Sequence, residues 1–252
     1  MQALPAARRA GLNRLAGAFR SRAVSVAHRI AGIEESLAAA CRRAGREPSS
    51  VRLIGASKMQ PPASLQEAYD AGLRRFGENR VQEGVAKASA LPPGVEWHLL
   101  GPLQSNKVRP AVRLFDLFHA IDRPAIAVEL DREATLQGRR IGGLIEVNVG
   151  GEPSKHGFAP QGIAEAVAPL ATLERCAIRG LMAIPPPAAT AEGARPWFRS
   201  LRELARELNA RLEWGGRLVE LSMGMSDDFE VAIEEGATYI RVGSALFGPR
   251  PT

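Results

Sequence analysis

A single TIM-type (β/α)8 barrel with an extra N-terminal helix is predicted by three observations. Eight short apolar runs alternate with helix-forming stretches, most of the runs are apolar on both faces, and the chain is 252 residues long. Parallel strands covered by helices are buried on both sides, so they read as near-continuous apolar runs. Eight strand–helix units fill about 250 residues. An open doubly wound sheet is the alternative, but no GxGxxG follows the first run.

The elements follow in order. Val26, Ile30, Ile33, Leu37 and Cys41 recur at helical spacing, and "AGREP" ends that first helix. The strands are RLIGAS (52–57), RRFGE (74–78), VEWHLLG (95–101), LFHAID (117–122), GLIEVNV (143–149), AIRGLMAI (177–184), LVELSMG (218–224) and YIRVG (239–243). The clearest helix between them is 197–212, with Trp197, Leu201, Leu204, Leu208 and Leu212 on one face. Residues 23–252 form one domain in this reading, and residues 1–22 a disordered basic extension.

Composition excludes several function classes. The pI near 10 suggests nucleic acid until the charge is located. Residues 1–30 hold six arginines and no acid, which equals the whole formal charge of +6, so the remainder is neutral overall. No nucleic-acid partner follows. The Arg- and Ala-rich segment resembles an organelle transit peptide, but an unstructured extension is the simpler reading. Cys41 and Cys176 stand alone, without the spacing of a zinc site, and two free thiols suit the cytoplasm. No apolar run is long enough to span a membrane. A monomer is expected.

The stretch "LIGASKMQPP" ends an apolar strand in a lysine. Of 33 basic residues only Lys58, Lys87, Lys107 and Lys155 are lysines. Arginine supplies charge elsewhere, and a desolvated lysine can do what arginine cannot: lose its proton and attack a carbonyl. In a barrel of this type chemistry sits at the C-terminal strand ends, with phosphate often bound by the loops after strands seven and eight. Here those loops are "LSMGMSDD" and "RVGSALFG", and Gly243 and Ser244 open a short helix. A lysine on strand one with a phosphate cup opposite specifies a carbonyl compound carrying phosphate. A lysine-imine phosphosugar aldolase and a pyridoxal 5′-phosphate (PLP) protein both satisfy that. Arg241, two residues before Gly243, points into the barrel and needs a partner there. Either a pyridine nitrogen or a glutamate such as Glu146 or Glu220 would serve.

The segments "LIGASKMQP", "FGENRVQE", "WHLLGPLQSNK", "VNVGGEPSKHGF", "GLMAIPP" and "LSMGMSDDFEVAIEEGATYIRVGSALFG" together resemble the pyridoxal phosphate homeostasis proteins, which share the barrel of the alanine racemase N-terminal domain. The resemblance runs from about Val24 to Gly248. It implies PLP as an aldimine on Lys58, Arg241 facing the pyridine nitrogen and Asn79 beside the ring. It also implies that Gly243, Ser244, Ser226 and Ser222 hold the phosphate, and that Lys155 lies near the cofactor. The chain has "GASKMQ" where the family more often shows "AVSKT", and "GENR" where "GENY" is common. The function implied is storage, buffering or delivery of PLP, with PLP-dependent client enzymes as partners, and without efficient catalysis. A PLP-dependent amino-acid racemase is the first alternative. It needs a second base, and neither Tyr69 nor Tyr239 is expected at the mouth, although His98 or His156 would be substitutes. His98 is expected to support the mouth beside Trp97. A barrel used only as an interaction module does not account for the polar strand ends.

Overall fold

The structure is a computed structural model and describes residues 24–211 and 218–249. The expected extension at 1–22 and the expected helical position of Leu212 lie outside the described residues. Eight parallel strands close in sequence order. They are β1 (Arg52–Ala56), β2 (Arg75–Glu78), β3 (Glu96–Leu99), β4 (Leu117–Ile121), β5 (Ile141–Glu146), β6 (Cys176–Met182), β7 (Glu220–Ser222) and β8 (Tyr239–Val242). Closure is made by β1 against β8, in register from Arg52↔Tyr239 to Gly55↔Val242. The predicted barrel is borne out, and every strand but the second ends one to three residues before the run that predicted it.

Helix α1 (Val26–Arg43) is the extra N-terminal helix, and Ser25 caps it by accepting from the His28 amide at 3.2 Å. It buries Val26, Ile30, Ile33, Leu37 and Cys41, as the spacing predicts. The helices that follow the strands are α2 (Pro62–Asp70), α3 (Val81–Ala88), α4 (Val108–Leu114), α5 (Pro124–Leu136), α6 (Ile163–Val167), α7 (Arg195–Arg211), α8 (Phe229–Glu234) and α9 (Ser244–Phe247). Arg43 ties α1 to α8 through Glu230 at 2.8 Å and Glu234 at 2.6 Å. In α7 the buried stripe is Phe198, Leu201, Ala205 and Leu208, so the face is rotated from the predicted one and Trp197 and Leu204 are only half-buried. Among the described residues no helix is long and apolar enough to cross a membrane.

Most of the core lies between sheet and helices. The barrel interior is a smaller cluster of Ile54, Leu117, Ala120, Leu144, Met182 and Tyr239. Its floor is polar. Arg52 donates to Glu220 at 2.9 Å and to the Tyr239 hydroxyl. In β6 the register against β5 skips Arg179, which bulges and presses Gly180 onto β7. A Cβ at Gly180 would sit 1.7 Å from the Glu220 carbonyl oxygen, so no side chain fits there.

Candidate cofactor site

The polar strand ends converge on the C-terminal mouth. Two adjoining cavities of about 240 and 300 Å³ share Ala56, Lys58, Met225 and Arg241 as lining. The smaller continues along Gln60, Ser226, Gly243 and Ser244, and the larger along Asn79, Glu146, Asn148, Lys155 and His156. Six of the seven sequence-predicted residues thus line one continuous cleft, and Lys58 stands where its halves meet.

Local structure explains how Lys58 is presented. Successive residues of an extended strand face opposite ways. Ser57 turns into the protein, where its hydroxyl donates to Glu78 Oε1 at 2.6 Å. The buried Lys87 donates to the same carboxylate at 2.7 Å and to the Ser57 carbonyl at 2.8 Å. Lys87 therefore fixes the backbone on which Lys58 stands. Met59 follows in the left-handed region at φ 60°, an unfavourable conformation for a non-glycine residue and one that ends the strand abruptly. Lys58 itself is half-buried, and its Nζ makes no hydrogen bond or ion pair among the described residues. Behind the cleft, Gly101 passes so close to the Asn79 backbone that a Cβ would lie 2.5 Å from the Asn79 oxygen. That contact seats Asn79 at the mouth.

The smaller cavity ends in small residues and free donors. Ser244 and the Ala245 amide both donate to Ser226 Oγ, at 3.1 and 3.2 Å. The amides of Ser226, Gly243 and Ser244 have no protein acceptor among the described residues. Amides without acceptors beside two hydroxyls suit a phosphate.

Arg241 is buried in the interior beneath Lys58. It forms no salt bridge with Glu146 or Glu220, so the glutamate partner is not found. It donates instead to Ser222 Oγ and, at 3.1 Å, to the Ala183 carbonyl. Burial pulls its pKa down to about 10, against the opposing charges of Asp228 and Glu146. Among the described residues no carboxylate reaches ion-pair distance of this guanidinium. Ser222 differs from its predicted role. It is fully buried below Arg241 and does not line the cup, because β7 places it one layer deeper than Ser226.

The histidine expectation is corrected too. Trp97 faces the helices against Phe76, at a 6.0 Å ring separation. His98 therefore faces inward, fully buried in the barrel beside His119 and Tyr239, and not at the mouth. His156 does reach the mouth, with Nδ1 3.6 Å from Asp122 Oδ2. Lys155 lines the larger cavity, paired with Glu152 and donating to the Pro185 carbonyl at 3.1 Å. Tyr69 lies against Arg74 outside the barrel, and Tyr239 lies at the floor.

Sequence reasoning passed over His119 and weighed Glu146 only as a partner of Arg241. Glu146 lines the cleft with Oε2 buried and unpaired, and burial followed by the charge of Asp122 pushes its pKa up to about 6. His119 lies within the otherwise apolar β4, and a lone polar residue in such a run was the available signal.

The family profile "Alanine racemase, N-terminal domain" matches residues 62–251. A protein named "Pyridoxal phosphate homeostasis protein" from Aquifex aeolicus is 44% identical over 228 residues, covering 90% of this chain and 99% of its own length. One of the same name from Pseudomonas aeruginosa is 44% identical over 230 residues, covering 90% and 96%. The solved structure of PipY from Synechococcus elongatus PCC7942, described as having PLP bound, superposes with a TM-score of 0.78 at 42% identity, covering 89% of this chain and all of that one. Alanine racemase from Clostridium difficile shares the fold alone, with a TM-score of 0.63 and 14% identity, over 87% of this chain and 56% of that one.

Proposed function

This chain belongs to the pyridoxal phosphate homeostasis protein family, and from that premise we propose that it binds PLP and keeps it available for storage, buffering or delivery in the cytoplasm. PLP-dependent client enzymes are its proposed partners, and the proposed working unit is a monomer of one domain spanning residues 23–252. The observation that carries the reading is Lys58, without a partner among the described residues and standing between a cup of free amides and a buried guanidinium. These residues fit PLP as a set. Lys58 Nζ would hold it covalently, and Ser226, Gly243 and Ser244 would bind its phosphate. Asn79 would lie beside the ring, and Arg241 would meet the ring nitrogen. When bound, PLP supplies an aldehyde carbon and an aromatic ring that can delocalise negative charge.

The protein side of the site favours holding over turnover. A guanidinium only donates hydrogen bonds, so a ring nitrogen facing Arg241 must accept one and stay unprotonated. That weakens the ring as an electron sink. Catalysis at an amino acid's α-carbon also needs an acid–base group on each face. Among the described residues neither tyrosine reaches the mouth. The racemase reading has one specific observation behind it, the Glu146 carboxyl with its raised pKa. Incubation of the loaded protein with L-alanine and L-serine in deuterium oxide separates the two. We expect α-deuteration no faster than with free PLP. Rapid exchange with loss of chirality, abolished by Glu146→Gln, establishes the racemase instead.

The phosphate cup has its own test. Pyridoxal, which lacks the phosphate, should bind far more weakly than PLP. A Cβ at Gly243 meets only ordinary contacts, the nearest being the Ala56 oxygen at 3.4 Å. The fold therefore tolerates Gly243→Val, whose methyl groups then occupy the space an anion needs. The expected loss is about tenfold or more for PLP, equivalent to about 1.4 kcal/mol, and much less for pyridoxal. Equal losses for the two ligands in titrations would remove the phosphate from this cup.

A further inference from the structure

A row of buried polar side chains runs down the barrel beneath the cleft. Arg241 donates to Ser222 Oγ, and His119 Nδ1 lies 2.8 Å from the same oxygen. His119 Nε2 lies 2.8 Å from His98 Nδ1. His98 Nε2 then stands 3.1 Å from Glu96 Oε1, at ion-pair distance but out of line for a straight hydrogen bond. His98, His119 and Ser222 are all fully buried. The edge of each imidazole meets the Tyr239 ring with centroids 5.6 Å apart, which holds both ring planes.

Of the proton positions along this row, only the one on Arg241 is fixed by chemistry. The guanidinium has donors only, so Ser222 Oγ accepts from it. A hydroxyl oxygen can accept twice, so the row can run either way; in the direction that leads away from Arg241, the hydroxyl proton of Ser222 goes to His119 Nδ1. With Nδ1 accepting, a neutral His119 carries its proton on Nε2 and donates it to His98 Nδ1. His98 in turn carries its proton on Nε2, facing Glu96. Every donor in the row then points away from Arg241 and toward the floor. Burial above all holds the His119 pKa well below the ordinary histidine value, so the middle of the row stays neutral.

We propose that Ser222, His119 and His98 are positioning residues for Arg241: a one-way hydrogen-bond row that fixes the guanidinium's orientation and leaves its remaining N–H groups aimed at the ring nitrogen of the cofactor. This rests on the PLP reading of the cleft and deepens it. Among the described residues Arg241 has no carboxylate to orient it, and the row supplies that constraint. Ser222 acts through Arg241 and touches no ligand. The same relation accounts for a histidine inside β4, where an apolar residue would otherwise pack better.

The test has two arms. Long-range ¹⁵N–¹H spectra of histidine-labelled, unliganded protein should show His119 neutral and protonated on Nε2 between about pH 6 and 8. The second arm compares His119→Asn, whose amide oxygen can still accept from Ser222, with His119→Phe, which cannot. We expect His119→Phe to weaken PLP about tenfold and to shift the visible absorption band, with attachment at Lys58 retained, and His119→Asn to stay within about twofold of the wild type. Should His119→Phe not fold, Ser222→Ala cuts the same link and should shift the band likewise. His119 protonated on Nδ1, or equal behaviour of the Asn and Phe variants, overturns the proposal. The spectra of the unliganded protein judge the row even if PLP fails to bind, which would count against the cofactor reading alone.

Discussion

Lys58→Arg is expected to abolish covalent PLP completely while leaving the barrel as stable as before. The guanidinium keeps the positive charge but cannot bond to the aldehyde carbon. Lys58 is half-buried and has no partner to lose among the described residues, so thermal unfolding should shift by less than about 0.5 kcal/mol in stability. Residual binding through the phosphate cup should be reversible and vanish on dialysis. The measurement is the visible spectrum before and after borohydride, followed by peptide mass spectrometry. In the wild type the phosphopyridoxyl group should fall on Lys58. Lys87 is excluded as the carrier by its burial between Glu78 and the Ser57 carbonyl. Lys155 lines the same cleft, so Lys155→Arg is the matched control and should keep the covalent cofactor. A wild-type label on Lys155 or Lys107 with Lys58 unmodified would sink the assignment.

Gly180→Ala carries the largest expected cost to the fold. The new methyl would lie 1.7 Å from the Glu220 carbonyl oxygen and 2.5 Å from its carbon. Backbone, not a flexible side chain, occupies that space, so relief requires β6 and β7 to part. We expect a loss of about 4 kcal/mol or more, seen as a fall in Tm of roughly 10 °C. Gly32→Ala is the contrasting control. Gly32 lies inside α1 with nothing within 4 Å of an added Cβ. Alanine there should raise stability by about 0.5–1 kcal/mol through helix propensity alone. An unchanged Tm for Gly180→Ala would mean that the two strands stand further apart than described.

Much of this was legible before any coordinates. The apolar runs gave eight strands, the polar residues closing them gave the mouth, and the scarcity of lysine singled out Lys58. What the sequence concealed was height along the barrel axis. Period-two alternation says which face of a strand a residue takes, but the stagger between strands sets its depth. Ser222 and Ser226 share the segment "LSMGMS", yet one lies under Arg241 and the other in the cup. Trp97 and His98 are adjacent, and which of them faces inward depends on the phase of a four-residue strand. Glu146 closes β5 where it was read as structural, because its solitude in the cleft appears only once the neighbouring strands are placed. In α7 the predicted face was off by one residue, since Phe198 and Trp197 both fit an apolar stripe.

Closure of β1 against β8 has a consequence for how the protein is made. Lys58 follows the first strand, whereas Arg241 and Gly243 belong to the last and to its exit turn. Between their syntheses the ribosome builds nearly the whole barrel. On the proposed site, a nascent chain exposes Lys58 long before the proposed phosphate cup exists, and it should not retain PLP until β8 has left the exit tunnel and docked. Products of premature termination upstream of Arg241 should lose cofactor retention as a whole, however much of the barrel they keep. Cofactor capture at the proposed site would report that the last strand has docked.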